Sequence, residues 1–278
     1  MKSYAFRILN VFAREGRLTG NPLCVFEDAT GLDEATMQAL ARQFNLSETT
    51  FILPSQTATA RVRIFTPSYE MPFAGHPTLG TAHVVRDLRR PGDALTLEMK
   101  AGLIPVSADG DRWTLKANAP TSRAVPLANA ELAEVLGLDA ADIAPTPLRV
   151  SIGREQLLVP VKSAEAVRRA RPRPDIFQRL ASEDGPGQAY VFADEGQAVL
   201  SRFFFTSGAA VLEDPATGSA CANLGGWFLA MRPGEDVERT ISQGEMVSRP
   251  STLFLSVKAG AIRVSGSVIE LARGTLAL

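Results

Sequence analysis

The sequence is poor in the residues that most often carry redox, disulfide or metal chemistry. Its 278 residues include only two cysteines, Cys24 and Cys221, which are too few for the disulfide framework of a secreted domain. The only two histidines, His76 and His83, have no nearby cysteines or clustered acids, so we expect no metal site. No Gly-x-Gly-x-x-Gly or Walker sequence occurs, which argues against a bound nucleotide.

Net charge and long apolar runs are also scarce. The formal net charge is −1 and the pI is about 6.2, whereas a nucleic-acid-binding protein usually has a strongly basic face. The one basic cluster, at 168–173, is interrupted by proline and is typical of a solvated helix end. No run of eighteen apolar residues occurs, and the first residues contain no apolar stretch of signal-peptide length. We therefore expect a cytoplasmic protein with no nucleic-acid or membrane partner.

Hydrophobic patterning predicts an α+β fold with many strands and few helices. Apolar residues recur at helical spacing over 33–44, 78–88, 129–136 and 220–231, with a further segment at 167–180. A turn is predicted at 20–22. Strands are predicted at 4–12, 23–26, 49–53, 60–65, 95–99, 104–107, 113–117, 157–161, 189–192, 199–206, 251–257, 261–265 and 267–271. Strict alternation of strand and helix is absent, which disfavours a Rossmann or TIM arrangement.

The strongest signal is an internal repeat. Residues 70–77 (EMPFAGHP) and 213–220 (EDPATGSA) share a Glu-x-Pro-x-x-Gly frame, and each follows an aromatic β run and precedes an apolar helical stretch. A chain with 45% hydrophobic residues can bury two cores of about 130 residues each. The repeat therefore predicts two similar domains, 1–120 and 121–278. It leaves open which of the two domains includes the strand at about 267–278.

The repeated loops carry glycine and small or polar residues just before a helix. Such a loop presents free backbone N–H groups to an anion. Two such loops facing one cleft would form a pseudo-symmetric site. The alternative is a pair of ordinary strand-to-helix turns.

Four polar side chains are candidates for chemistry. Glu48 lies between a predicted helix and a strand, where it is either a satisfied junction group or a base whose pKa is raised by desolvation. His76 opens a helix, and a helix N-terminus favours the neutral imidazole. Asp214 is either a helix-capping acid or a catalytic group, and Ser219 either a cap or a substrate donor. A nucleophilic serine is not expected, because no Gly-x-Ser-x-Gly elbow occurs.

Four motifs in order resemble the PhzF (phenazine biosynthesis) family over essentially the whole chain. They are residues 20–22 (GNP), 45–49 (NLSET), 72–80 (PFAGHPTLG) and 213–220 (EDPATGSA). A further family pattern, Gln-Gly-x-x-x-Gly-Arg-Pro-Ser, matches residues 243–251 except that Ser248 takes the second glycine position. The resemblance implies a diaminopimelate-epimerase-like fold: two pseudo-symmetric domains, each a curved sheet or barrel around a central helix, with the active site between them. It also implies a homodimer.

The resemblance assigns roles to the candidates. Related epimerases use two facing cysteines, whose positions here hold Ala74 and Thr217, so a two-thiol mechanism is not expected. In PhzF-like enzymes the glutamate at the position of Glu48 transfers the proton. The residues that match its assisting groups are His76, Asp214 and Ser219.

The resulting hypothesis is an isomerase that moves a hydrogen within a small carboxylated metabolite, for which the family implies trans-2,3-dihydro-3-hydroxyanthranilate. Glu48 would take a proton from one carbon and return it to another, and no cofactor is needed because the conjugated substrate delocalises the charge. Predicted substrate-binding residues are Ser47, Gly75, Thr217 and Gly218. Two alternatives remain open: an epimerase or racemase pairing Glu48 with Asp214 or His76 as its second base, and a non-catalytic binding protein on the same scaffold.

Overall fold

Strands contain more residues than helices in the structure, a computed structural model that describes residues 2–180, 185 and 187–278. The contacts within the chain divide it into two units. The first unit is Met1–Lys116 with Ser265–Leu278, and the second unit is Ala117–Val264. Helices and strands occur in both, which confirms the expected α+β class.

The first unit contains two helices, α1 (Glu34–Phe44) and α2 (Gly75–Arg89). Its strands are β1 (Ser3–Val11), β2 (Asn21–Phe26), β3 (Glu48–Leu53), β4 (Ala60–Phe65), β5 (Glu70–Met71), β6 (Ala94–Met99), β7 (Gly102–Asp109) and β8 (Arg112–Lys116).

The second unit contains the helices α3 (Asn129–Leu136), α4 (Ala164–Arg169), α5 (Pro174–Phe177) and α6 (Gly218–Met231). Its strands are β9 (Thr121–Ala124), β10 (Leu148–Ser151), β11 (Glu155–Pro160), β12 (Gln188–Asp194), β13 (Ala198–Ser207), β14 (Ala210–Asp214), β15 (Val237–Gln243) and β16 (Ser251–Lys258). The last strand, β17 (Ala261–Ala277), begins in the second unit and continues into the first.

The strands of the first unit close into a barrel. Neighbouring pairs are β1 with β2, β2 with β3, β3 with β4, β4 with β6, β6 with β7 and β7 with β8. Strand β17 pairs with both β8 and β1, which completes a ring of eight strands. Helix α2 contacts most of these strands and is the central helix of the unit. Gly80 permits this close packing, because a Cβ there would lie 2.5 Å from Leu23 Cδ2 and 2.8 Å from Val11 Cγ2.

The second unit repeats this plan. Strand β11 runs parallel to β12 as β2 does to β3, and β13 is parallel to β15 as β4 is to β6. The antiparallel pairs β10 with β11, β12 with β13, β13 with β14 and β15 with β16 complete the correspondence. Helix α6 contacts β9, β10, β11, β15 and β16, so it takes the place of α2. The pseudo-symmetry expected from the repeated loop is confirmed.

Helix α1 covers one side of the first barrel. Asp33 caps it by accepting a hydrogen bond from Thr36 N–H at 2.8 Å, and the buried face includes Met37 and Leu40. These residues join a cluster of buried aromatics in which the Phe26 and Phe51 rings stack 4.9 Å apart. The predicted helix at 33–44 is therefore confirmed, with Asp33 as its cap.

Several predicted boundaries were wrong at glycine and proline. Helices α2 and α6 begin at Gly75 and Gly218, earlier than the predicted 78 and 220. Glycine and proline are tolerated in the first turn because the N–H groups of that turn have no hydrogen-bond partner within the helix. The predicted strands 261–265 and 267–271 are one strand, β17. Gly266 lies within it as a point of close contact, since a Cβ there would be 2.3 Å from Phe12 Cδ1.

Other differences concern turns and polar strands. The predicted turn at 20–22 is confined to Gly20, with φ at +80°, while Asn21 and Pro22 already belong to β2. Strands β5, β9, β10, β14 and β15 were not predicted. Most of them are short or carry many polar residues, so their apolar alternation is weak. Among the described residues, none of the helices has the length and apolar character needed to span a membrane.

Candidate active site

In the first unit, Glu48 and His76 lie side by side. Helix α1 ends at Phe44 and is followed by the C-cap residue Asn45, whose left-handed φ of +51° turns the chain toward β3, which begins at Glu48. His76 is the second residue of α2. Its Nε2 atom is 3.3 Å from Glu48 Oε2, and the two side chains are only 7% and 15% exposed. The structure therefore brings together a carboxyl group and an imidazole at hydrogen-bonding distance.

Burial keeps the His76 imidazole neutral. It lowers the pKa of His76 from 6.5 to about 3, although a hydrogen bond with the Pro22 backbone acts in the opposite direction. Proline has no N–H, so the imidazole donates this hydrogen bond to the Pro22 carbonyl. Nε2 makes no hydrogen bond to the described residues, which identifies Nδ1 as the donor. The lone pair of Nε2 is consequently directed at Glu48.

The other predicted residues of the first unit flank this pair. Ser47 lies in the bend before β3 with its side chain exposed. Gly75 is the first residue of α2. The residue before it, Ala74, has no side-chain oxygen, so no side chain caps the helix. The N–H groups of the first turn are therefore left for water or a ligand.

In the second unit, a buried amide holds Asp214 and Thr217 together. Gln243, which is fully buried, donates from Nε2 to the Asp214 carbonyl at 2.9 Å and to Thr217 Oγ1 at 3.0 Å. Its Oε1 accepts from Thr217 N–H at 3.3 Å. The Thr217 hydroxyl in turn donates to Asp214 Oδ2 at 2.5 Å. Asp214 is the last residue of β14, and Thr217, not Asp214, occupies the N-cap position of α6.

The turn after Gln243 explains the family pattern of two glycines. Gly244 has φ at +81°, and a Cβ there would lie 2.3 Å from the Arg249 carbonyl oxygen and 2.5 Å from that of Pro215. Only glycine fits at this point. Ser248, at the second glycine position of the pattern, also has a left-handed φ of +57°. The pattern therefore describes a backbone shape, and this chain adopts it with a serine.

Ser219 lies elsewhere in the second unit's network. It is half-buried in the first turn of α6, directly after Gly218, and its Oγ accepts a hydrogen bond from Gln156 Nε2 at 3.2 Å. The Ser219 hydroxyl thus pairs with Gln156, whereas the Thr217 hydroxyl pairs with Asp214.

The glutamates of the repeated frame are structural. Arg63 donates hydrogen bonds to both carboxylate oxygens of Glu70, at 2.7 and 2.6 Å. Arg202 does the same to Glu213, at 3.1 and 2.6 Å. Each guanidinium also stacks on the aromatic ring two residues further along, at 5.1 and 4.6 Å from the ring centre. These bidentate ion pairs join β4 to β5 and β13 to β14, directly before the two loops. Sequence reasoning missed both arginines, although Arg-x-Phe precedes the frame in both halves.

The strand registers show which residues of the two units are equivalent. Thr49 faces Phe65, which faces Glu70, and in the second unit Ala189 faces Phe204, which faces Glu213. By this register Glu48 corresponds to Gln188, the first residue of β12, and His76 corresponds to Ser219. The acid and imidazole of the first unit are thus matched by an amide and a hydroxyl in the second.

Neither cysteine is an activated nucleophile. Cys24 and Cys221 are buried, and burial raises the pKa of both thiols, which disfavours the nucleophilic thiolate. Within residues 2–180, 185 and 187–278, no three His, Cys, Asp or Glu side chains are grouped to hold a metal ion.

Comparison with known proteins decides the family. The model of the PhzC-PhzF family, described as phenazine biosynthesis-like protein, matches residues 9–274. The chain belongs to the PhzF family. A PhzF-family protein from Bacillus anthracis has the same fold, with a TM-score of 0.88, 26% identity and complete coverage of both chains.

Two curated relatives of this PhzF-family protein are named as isomerases. An uncharacterized isomerase from Pasteurella multocida is 38% identical over 98% of this chain and 94% of its own length. The trans-2,3-dihydro-3-hydroxyanthranilate isomerase of Pseudomonas aeruginosa is 34% identical over 98% of each chain. The PhzF-family protein described here is an isomerase acting on a small molecule, as the sequence predicts.

Proposed function

We propose that this isomerase catalyses a cofactor-independent hydrogen shift on a small carboxylated substrate such as trans-2,3-dihydro-3-hydroxyanthranilate. The substrate is the one named for the relative from Pseudomonas aeruginosa. The observation that carries the proposal is the Glu48–His76 pair, in which a carboxylate and a neutral imidazole, both largely buried, lie side by side.

Glu48 is the proton carrier in this proposal. Its carboxylate takes a proton from a substrate carbon, and the electrons of the broken C–H bond enter the substrate's conjugated system. The same proton then forms a C–H bond at another carbon of that system, so the substrate is neither oxidised nor reduced overall. Positioned proton transfer of this kind contributes roughly 10²- to 10⁴-fold in rate.

His76 stabilises the stage of the reaction at which Glu48 carries the proton. While the proton resides on Glu48, Oε2 can donate it toward the Nε2 lone pair, 3.3 Å away. Because burial holds the pKa of His76 at about 3, the imidazole accepts this hydrogen bond without taking the proton itself. The proton therefore stays available for return to the substrate.

The remaining predicted residues hold the substrate. Asp214, fixed by the Thr217 hydroxyl, accepts hydrogen bonds from an amino or hydroxyl group of the substrate. In the second unit, Ser219 and the uncapped helix start at Gly218 are the proposed carboxylate-binding groups. In the first unit, the uncapped helix start at Gly75 and the Ser47 hydroxyl are the proposed substrate-binding groups.

Replacing Glu48 tests the proposal. With trans-2,3-dihydro-3-hydroxyanthranilate as substrate, we expect Glu48→Gln to lower kcat by at least about 100-fold, because the amide keeps the shape but cannot carry the proton. The exposed Glu238→Gln is the matched control and should retain full activity. Turnover by Glu48→Gln at the parent rate would refute the mechanism.

The same reaction run in deuterium oxide separates this function from the epimerase alternative. Proton NMR should show a hydrogen moved from one ring carbon to another. Deuterium entering at a single carbon with inversion of its configuration would instead establish a two-base epimerase.

A further inference from the structure

Two buried amides in the second unit determine the direction of the Ser219 hydrogen bond. Asn223, on α6, and Gln156, on β11, are 0% and 2% exposed. Together they link backbone groups near β10 and β11 to the Ser219 hydroxyl. Neither was singled out from the sequence.

The backbone fixes the orientation of the Asn223 amide. Its Oδ1 accepts from Ile152 N–H at 3.0 Å, and a backbone N–H can only donate. Its Nδ2 faces the Arg154 carbonyl at 3.2 Å, and a carbonyl can only accept. Reversing the amide would therefore break both contacts.

The Asn223 amide in turn fixes the orientation of Gln156. Asn223 Nδ2 donates to Gln156 Oε1 at 2.8 Å, so the oxygen of Gln156 faces Asn223 and its NH₂ group faces Ser219. Gln156 Nε2 then donates to Ser219 Oγ at 3.2 Å. A serine hydroxyl carries one hydrogen, and here Oγ is the acceptor, so this hydrogen points away from Gln156. Among the described residues, none accepts a hydrogen bond from Ser219 Oγ.

We infer that Gln156 and Asn223 are positioning residues that make Ser219 an obligate hydrogen-bond donor to a carboxylate oxygen of the substrate. This inference rests on the proposed function. The location favours an anionic acceptor, because Ser219 follows Gly218 at the start of α6, whose first turn has no acidic residue and no side-chain cap. At the equivalent position of the first unit, His76 offers a lone pair through Nε2. The two equivalent positions therefore differ, with a hydrogen-bond acceptor at His76 and a donor at Ser219.

The relative loss of kcat/KM in three variants tests whether Ser219 is the hydrogen-bond donor. Gln156→Glu keeps the shape but replaces the NH₂ group by an acceptor, which draws the Ser219 hydrogen inward. We expect kcat/KM to fall about 10- to 100-fold, as in Ser219→Ala, mainly through KM. Gln156→Leu leaves the Ser219 hydroxyl free to rotate, so its loss should be smaller than that of Gln156→Glu. A merely structural role would make the leucine variant at least as damaging.

The double variant separates hydrogen-bond direction from the added negative charge. In a Ser219→Ala background, Gln156→Glu should have less than about a twofold further effect, since the hydroxyl is already absent. Asn223→Asp removes the donor that orients Gln156 and should reproduce the loss seen with Gln156→Glu. Melting temperatures of all variants show whether each remains folded. Additive losses in the double variant would overturn the inference.

Calorimetry with two small molecules tests whether Ser219 binds the carboxylate of the substrate. The stable aromatic analogue 3-hydroxyanthranilate carries the carboxylate, and 2-aminophenol is the same ring without it. Gln156→Glu and Ser219→Ala should weaken binding of the first about 10-fold or more and leave the second unchanged. Equal losses for both probes would refute the carboxylate assignment.

Neutron diffraction on deuterium-exchanged crystals tests the inference without any substrate. Deuterium should appear on Gln156 Nε2 toward Ser219 Oγ, with the Ser219 deuterium directed elsewhere. A Ser219 deuterium directed at Gln156 overturns the inference. Wild-type protein that shows the expected deuterium positions but no turnover and no probe binding would count against the proposed function instead.

Discussion

Replacing His76 by asparagine should remove a large part of the protein's sensitivity to acid. Burial lowers the pKa of His76 to about 3 in the folded protein, whereas the unfolded chain has the ordinary value of 6.5. Between these values the unfolded chain binds a proton that the folded protein does not, so stability falls as the pH falls from about 6.5 toward 3. Asparagine does not titrate, and its amide can still donate toward the Pro22 carbonyl.

The size of the effect follows from the proton bound by the unfolded chain. At pH 7.5 an unfolded histidine with a pKa of 6.5 is almost entirely neutral, and at pH 5 it is almost entirely protonated. This difference costs the folded state about 2 kcal/mol at pH 5. The result hardly depends on the folded value, provided that the pKa of His76 lies well below 5.

Urea unfolding at pH 7.5 and pH 5 measures this difference. We expect the free energy of unfolding of His76→Asn to drop by about 2 kcal/mol less than that of the parent between the two pH values. His83→Asn is the matched control. Burial lowers the pKa of His83 as well, but this variant keeps the contribution of His76. If the parent and His76→Asn lost the same stability, the imidazole would be protonated in the folded protein and the proposed role of Nε2 would fail.

Two further predictions concern the turn that follows Gln243. Gly244→Ala should destabilise the fold by about 2–4 kcal/mol, because its Cβ would lie 2.3 Å from a carbonyl oxygen, whereas Gly92→Ala, with a similar positive φ but open space, should cost about 1 kcal/mol. Urea unfolding of the pair measures the difference, and equal losses would mean that the turn yields to the new methyl group. Ser248→Gly should stabilise the protein by about 0.5–1 kcal/mol by relieving a left-handed serine. An unchanged or lower unfolding midpoint would show that the serine carries no strain.

Local patterns in the sequence were sufficient for the elements with strong periodicity. Strand β4 (Ala60–Phe65) and helix α3 (Asn129–Leu136) have the predicted bounds, because their apolar spacing follows directly from strand and helix geometry. The repeated Glu-x-Pro-x-x-Gly frame predicted the pseudo-symmetric halves for a similar reason. Both copies keep the same loop before the same central helix.

The polar network could not be predicted in this way. Gln156 lies 63 residues from Ser219 and 67 from Asn223, and Gln243 lies 26 residues from Thr217. A single buried amide leaves no periodic trace in a sequence, and its partners are chosen by which strands become neighbours. The roles assigned to Glu48 and the other site residues remain predictions.

The sequence by itself determined the family and the duplicated architecture, and it supplied the prediction of which side chains move a proton or bind a carboxylate. Only the tertiary structure decided their states. Burial keeps His76 neutral beside Glu48, and the buried amides of Gln156 and Gln243 set the direction of the Ser219 and Thr217 hydrogen bonds. The physical reason is that charge state and hydrogen-bond direction depend on solvent exclusion and on partners distant in the chain, neither of which is encoded in residue order alone.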